Sequence, residues 1–551
     1  MRKRLLILYF EFLFFSLALA SNSPGRVDSF YENEISQTVF NRLIDARGDF
    51  GLPRPQLKFV KDTTELARIS GQTIFLGAKA YQVCRSFGAD SLNALAALLS
   101  HELIHYYSGH SWEHEFSRAF ANMDLSKEIK DGWFADEVQA DLWGGLLAFS
   151  AGYNVQKILP EFFPKLYNIY GLSESISGYP KLQERIQLAQ KSAEKLDILL
   201  GFFETANCLV ALGMHEDAIA YYQMILREGY RAREVYNNIG VYYTLAALQL
   251  FKKGQIPYGL PLELDAKARV GESLKANDDK ASKEKRVQLL QEAISYFEQA
   301  RALDPEYAVA LINQGCAYTL LGIAAGQEEV DLVEEQYTQA LLLAKRAERE
   351  AREQKRTKVQ SDGLVLRGIL AAVQSDSTDA LKLWAQAATM GNALAKVNTE
   401  ILQNGASETA SNRLEKSNER EQIEKVSLDL FLRQPTFDTI IKLESPGMLG
   451  KWSQSSTKLF LEQSKIFAHF ISQKRYAVLH FTKDDYSNQT LLGIKIGDAR
   501  EKLMQTYRLP DKTIQTAQGE LLVYPAREIM FWLNENGQVE RWCVFRFVNA
   551  N

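Results

Sequence analysis

The 551-residue sequence contains only four cysteines, Cys84, Cys208, Cys316 and Cys543, and no Cys-x-x-Cys pair. So few, so scattered, they exclude a disulfide scaffold, and the missing pair argues against a cysteine metal knuckle. Neither sign of charge dominates: 64 Lys and Arg stand against 68 Asp and Glu, a net charge of -4, so nothing draws the chain to nucleic acid. Beyond residue 20 no run of 18 apolar residues occurs, and no later membrane span is expected. With 46% hydrophobic and 24% charged residues, wholesale disorder is excluded. At roughly 150 residues per domain, the length allows three or four domains.

What is present begins with Arg2, Lys3 and Arg4 ahead of an apolar run from Leu5 to Ala20 that closes on Ala18-Leu19-Ala20. A basic start, an apolar centre and a small-x-small end read as a secretory signal peptide over residues 1–20. The run contains Glu11 and is short for a span of about 20 residues. Export of the mature chain is the expectation.

The rest is read as multidomain and mainly α. Residues 21–190 mix helix and strand signals. Glu32 to Phe50 is amphipathic, Gln56 to Val60 alternates like a strand, and Ala67 to Leu76 reads as strand, Ser70-Gly71 turn, strand. Asp90 precedes a strong helix from Ser91 to Tyr107, and another helix is expected from Asp136 to Ala151. Residues 191–402 are almost purely helical and repeat. Ala218 and Gly240 lie 22 residues apart, as do Ala293 and Gly315, and Gly368 precedes Ala380 by 12. Together these intervals make the 34-residue tetratricopeptide (TPR) period, so the segment resembles an α-solenoid of TPR-like hairpins. One unit is interrupted by Gly254 to Arg286, a charged, loop-like insertion. Residues 403–425 are polar and read as a linker. Residues 426–551 carry strand patterns at Tyr476–Phe481, Leu521–Tyr524, Glu528–Leu533 and Val539–Phe545, and Asn534 to Gly537 reads as a hairpin turn, which gives a small α+β domain.

The chemistry concentrates in His101-Glu102-Leu103-Ile104-His105. Two histidines at i and i+4 project from one helix face and can reach one zinc ion, and Glu102 is placed to act as catalytic base. With seven histidines in the chain, this five-residue pattern arises by chance at on the order of 0.006 per chain. A third ligand in the three-histidine arrangement would need a glycine three residues after His105 and a histidine three residues after that, but Ser108 and Ser111 occupy those positions. Glu137, on a second helix, supplies the ligand instead. Asp141, one turn further on, is placed to hydrogen-bond a ligand histidine. Gly144, Gly145 and Ala148 would let the two helices pack closely. His110, His114 and Tyr107 are further candidates for the pocket rim or for transition-state stabilisation.

His101-Glu102-x-x-His105 followed by Glu137-x-x-x-Asp141 and Gly144 resembles the gluzincin metalloendopeptidases of the HtpX, Oma and BepA kind over residues 30–190. A signal peptide and TPR repeats beside it make the chain similar to BepA-type periplasmic proteases. The resemblance implies an α+β zincin domain, one zinc ion on His101, His105 and Glu137, and a role in cell-envelope protein quality control. It places the mature chain in the periplasm, free or membrane-associated. Partners would be protein or peptide substrates and an envelope assembly partner held by the TPR repeats. Substrate would add as a strand to a sheet edge at Thr73 to Leu76. The interval of 31 residues between His105 and Glu137 is shorter than that family leads one to expect. An adaptor or chaperone with an inactive zinc domain is the alternative, and an intact Glu102 stands against it.

Overall fold

The computed structural model of the protein describes residues 27–47, 52–61, 67–108, 127–174, 181–227, 231–252, 254–262, 280–326, 330–405, 419–426, 428, 463–472, 475–483, 486–516, 519–534 and 536–549. The segment 1–20 read as a signal peptide, His110, His114 and residues 406–418 of the expected linker lie outside the described residues. The chain divides into two compact units, Met1–Ala46 with Pro53–Ala193, and Arg47–Leu52 with Glu194–Asn551.

The first unit holds helix α1 (Val27–Arg47), strands β1 (Gln56–Val60), β2 (Ala67–Ser70) and β3 (Thr73–Gly77), and helices α2 (Ala78–Arg85), α3 (Ser91–Ser108), α4 (Lys127–Ser150) and α5 (Ile158–Tyr170). It ends within α6 (Leu182–Ala211). The boundary expected at residue 190 therefore falls inside a helix. β2 and β3 form the expected hairpin, turning at Gly71 with a φ of 60°. β1 joins β3 in parallel, so β3 is the central strand and its inward Ile74 and Leu76 are fully buried. This corrects the expectation that Thr73 to Leu76 offers a free edge. Both sides of that strand are already hydrogen-bonded, and the edges are β1 and β2.

α3 forms because Ala and Leu, the strongest helix formers, fill its first half, and Ala94 to Ser100 are buried all round. α4 packs along it. A Cβ at Gly144 would lie 2.9 Å from the His101 backbone nitrogen, so the lack of a side chain there sets how closely the two helices approach.

The second unit continues through α7 (His215–Arg227), α8 (Arg233–Leu248), α9 (Lys280–Leu303), α10 (Ala308–Ala325), α11 (Val330–Glu353), α12 (Thr357–Val373), α13 (Ser377–Thr389) and α14 (Ala393–Asn404). From α7 onward each helix packs on the next, while α8, α10, α12 and α14 also touch in series. The result is a two-layer helical stack. Small residues sit where helices meet most closely: a Cβ at Gly240 would lie 2.6 Å from the Phe297 ring, and one at Gly368 would strike Trp384. α10 is long and apolar enough to cross a membrane, yet 72% of it is buried inside the stack, as a core helix is.

The insertion after α8 is not wholly a loose loop. Tyr258 packs on Trp384 with ring centroids 5.3 Å apart. Gly259 donates to Asn398 Oδ1 at 2.8 Å and accepts from Asn398 Nδ2 at 3.0 Å. The described part of the insertion is thus tied to α14.

The chain ends in strands β4 (Ser464–Ser472) and β5 (Arg475–Thr482), helix α15 (Arg500–Tyr507), and strands β6 (Lys512–Thr516), β7 (Gly519–Tyr524), β8 (Ile529–Asn534) and β9 (Val539–Asn549). They form a six-stranded antiparallel sheet in the order β4-β5-β9-β8-β7-β6. One face, with Val478, Leu522, Phe531 and Trp542, shares a core with Leu503 and Tyr507 of α15. Ile423 enters the same core at 0% exposure, and buried Glu421 accepts hydrogen bonds from the Tyr507 hydroxyl and, at 2.7 Å, from the Leu491 amide. The linker read over 403–425 is corrected accordingly. α14 runs to Asn404, and residues 421–426 belong to the sheet domain, their polar composition concealing a buried carboxylate and a core isoleucine.

Candidate metal centre

α3 and α4 bring four of the expected residues together. His101 Nε2 and His105 Nε2 are 3.0 Å apart. Glu137 places Oε2 3.6 Å from His101 Nε2 and Oε1 3.4 Å from His105 Nε2. His101 Nδ1 is 2.9 Å from Asp141 Oδ1. Glu137 and Asp141 are buried and the two histidines half-buried.

These separations fit one metal ion. Nitrogen and oxygen ligands about 2.0–2.2 Å from a small divalent ion in tetrahedral geometry lie about 3.3–3.6 Å from one another. The 3.4 and 3.6 Å distances, each to a different Glu137 oxygen, fall in that range, and the 3.0 Å between the two histidines is shorter. Such convergence follows from the helix repeat, since i and i+4 share a face, and from the close approach at Gly144. His101, His105 and Glu137 are accordingly a group that could hold a metal ion. Asp141 completes it. Its position 2.9 Å from His101 Nδ1 would, with an ion bound, hold the tautomer that leaves Nε2 free to ligate.

The electrostatics match. Burial alone would lower the His101 pKa, but the hydrogen bond to Asp141 and the negative charges of Glu137, Asp141 and Glu102 outweigh it and raise the value to about 9. Burial alone would raise Glu137. Arg185, the hydrogen bond from His105 and the charges of both histidines hold it well below the usual carboxylate range. In the metal-free form the carboxylates of Glu137 and Asp141 are thus compensated by the His101 proton and by Arg185, charges that a divalent cation could in part replace.

Glu102 follows His101 on α3, about 100° further round the helix, and is half-buried. Tyr107, two residues beyond His105, is about 200° from it round the axis, on the far side of the helix from the ligands. Its ring packs edge-on against Tyr106 at 5.2 Å, and Tyr106 donates to the Pro53 carbonyl at 2.6 Å. His110 and His114 lie outside the described residues.

Sequence reading missed Arg185. It enters from α6, nearly fully buried, with Nη2 3.2 Å from Glu137 Oε2 and its guanidinium 4.2 Å from the centre of the Phe163 ring. Lys181 to Arg185 reads as an ordinary charged helix start. The one hint was electrostatic: Glu102, Glu137 and Asp141 gather three negative charges, one more than a divalent ion neutralises.

Fold and site together define a mainly helical protein with a His-His-Glu group that could hold a metal ion and a C-terminal antiparallel sheet. The chain matches no known family model, and no curated protein is significantly similar to it.

Proposed function

We propose that the protein is an exported, zinc-dependent metalloendopeptidase that hydrolyses peptide bonds of protein substrates. The observation that carries this reading is the convergence of His101, His105 and Glu137 on one point with Glu102 adjacent to the first ligand. Two histidines and a carboxylate, with a fourth position for water or substrate, are the donor set of catalytic zinc. When bound, zinc supplies Lewis acidity, polarising a carbonyl and making water more acidic. Glu102 then takes a proton from the attacking water at its carboxylate and passes it to the departing amine. Asp141 keeps His101 in its ligating tautomer, and Arg185 holds Glu137 in place against the histidines.

The 34-residue spacing and the two-layer stack support reading α7 to α14 as TPR-like hairpins that recruit substrate or an envelope assembly partner. The amino-terminal pattern supports export to the periplasm, where quality control of misassembled proteins is the role we assign. The test is digestion of casein by purified protein beside Glu102→Gln. Removing a catalytic base costs about 10²–10⁴ in rate, so wild type should cleave and the variant should not. Equal cleavage by both would refute the reading. Cleavage by neither, with full metal content in both, would favour the adaptor alternative.

A further inference from the structure

Residues 257–262, in the connection between α8 and α9, lie on the helical stack as a bound peptide would. They form neither helix nor strand, yet three consecutive residues are held. The Tyr258 ring packs on Trp384 of α13, 5.3 Å between centroids. Gly259 donates its amide to Asn398 Oδ1 at 2.8 Å, and its carbonyl accepts from Asn398 Nδ2 at 3.0 Å. Leu260 packs with Tyr258 against the core shared by α12, α13 and α14, and Pro261 and Leu262 beyond it are buried.

The helical side of this contact is built for a main chain. Asn398 is fully buried, and its carboxamide is spent on the backbone of Gly259. A carboxamide offers a donor and an acceptor side by side, which pair with the N–H and C=O of any one residue in an extended peptide. Leaving it bare would cost the desolvation of both polar atoms. Side chains are read on either side of that bond pair. Trp384 takes an aromatic ring before the central residue, and the core of α12 to α14 takes an aliphatic one after it. The centre itself must be small, since a Cβ at Gly259 would lie 2.5 Å from Leu394 Cδ1. Main-chain bonds that hold and pockets that select are how extended peptides are recognised.

We propose that this groove docks extended segments of other proteins carrying an aromatic residue, glycine, an aliphatic residue and proline in that order, and that residues 257–262 fill it in cis until such a segment displaces them. The proposal rests on the recruiting role given above to α7 to α14 and deepens it, without depending on the metal centre. A tethered ligand competes at an effective concentration of about millimolar. Free peptide therefore reaches the groove only in the fraction of molecules whose own segment has lifted.

The probe is a fluorescent peptide with the sequence of residues 255–262, titrated by anisotropy into the full mature chain. Wild type is compared with the double variant Tyr258→Ala/Gly259→Pro, which takes the ring off Trp384 and the amide donor away from Asn398. The variant should bind the peptide at least about tenfold more tightly than wild type, and adding Asn398→Ala to it should abolish that binding. No binding to the folded variant, binding equal to that of wild type, or binding that survives Asn398→Ala would overturn the proposal. Should a variant misfold, hydrogen exchange on wild type decides. Amides of residues 256–262 should exchange through a local opening insensitive to low guanidinium, while those of α12 to α14 wait for global unfolding. Exchange of the segment only on global unfolding would show fixed packing rather than a displaceable ligand. Neither readout uses peptide-bond cleavage, so casein digestion judges the peptidase reading separately.

Discussion

Arg185 is a positive charge beside a site that must attract a cation, and its cost and benefit depend on whether the metal is present. Without metal, it is the principal partner of a buried carboxylate. Removing one member of such a pair typically costs about 3–5 kcal/mol, because the other is left buried and uncompensated. With metal bound, the ion takes over that compensation. Arg185→Ala should therefore lower the melting temperature strongly in chelator and much less in excess zinc, as differential melts would show; equal losses would refute this role. His101 gives the pH counterpart. Its folded pKa of about 9 exceeds the unfolded value of about 6.5. Its proton thus stabilises the metal-free fold fully below about pH 6.5, and that stabilisation is lost as pH rises through 9. Metal binding runs oppositely, because the ligating histidine must be neutral. Zinc affinity should rise about tenfold per pH unit up to about pH 9, with close to one proton released per ion at pH 7.5; zero release in a weakly buffered titration would contradict it. His101, Glu102, His105, Glu137 and Asp141 were legible because helical spacing is local. Arg185 was not, because a long-range ion pair leaves no periodic trace.

At the scale of elements, the α3–α4 contact decides whether the ligands meet. Gly144→Ala isolates that contact. Alanine in a helix interior is favoured over glycine by about 1 kcal/mol, but the added Cβ would lie 2.9 Å from the His101 backbone, and backbone cannot swing aside. Overpacking typically costs about 1–3 kcal/mol, so the overlap should win: Gly144→Ala should melt lower and retain less zinc. A variant that melts higher would show that the helices have slack. Strands β5, β7, β8 and β9 were readable as short runs rich in β-branched, leucine and aromatic residues, with the Asn534–Gly537 turn between the last two. β6, Lys-Thr-Ile-Gln-Thr, offers a single aliphatic residue, and β4, Ser-Lys-Ile-Phe-Ala-His-Phe-Ile-Ser, is a short apolar run that fits helix and strand alike. Buried Glu421 lies within the stretch that reads as a polar linker, because its partner, Tyr507, is 86 residues away in sequence.

For the whole molecule, composition and texture showed a mixed first part, a helical middle and a strand-rich end. They did not show that the last two form one compact unit: the unbroken apolar runs of β7 and β8 signal a sheet covered on both faces, but a run does not say what covers it. Truncation after Asn404 should uncover the surface around Ala211, whose carbonyl accepts from Lys512 Nζ at 3.1 Å, and cause aggregation; a monodisperse truncated protein of undiminished melting temperature would contradict that. The claim on which the rest depends is that the first unit holds one catalytic-type zinc ion on His101, His105 and Glu137. Zinc content and zinc-edge X-ray absorption on the purified chain test it most directly. The account predicts about one zinc per chain with only nitrogen and oxygen neighbours at about 2.0–2.2 Å, retained in Glu102→Gln and lost in Glu137→Ala. Zinc bound through sulfur, or zinc content unchanged in Glu137→Ala, would contradict it.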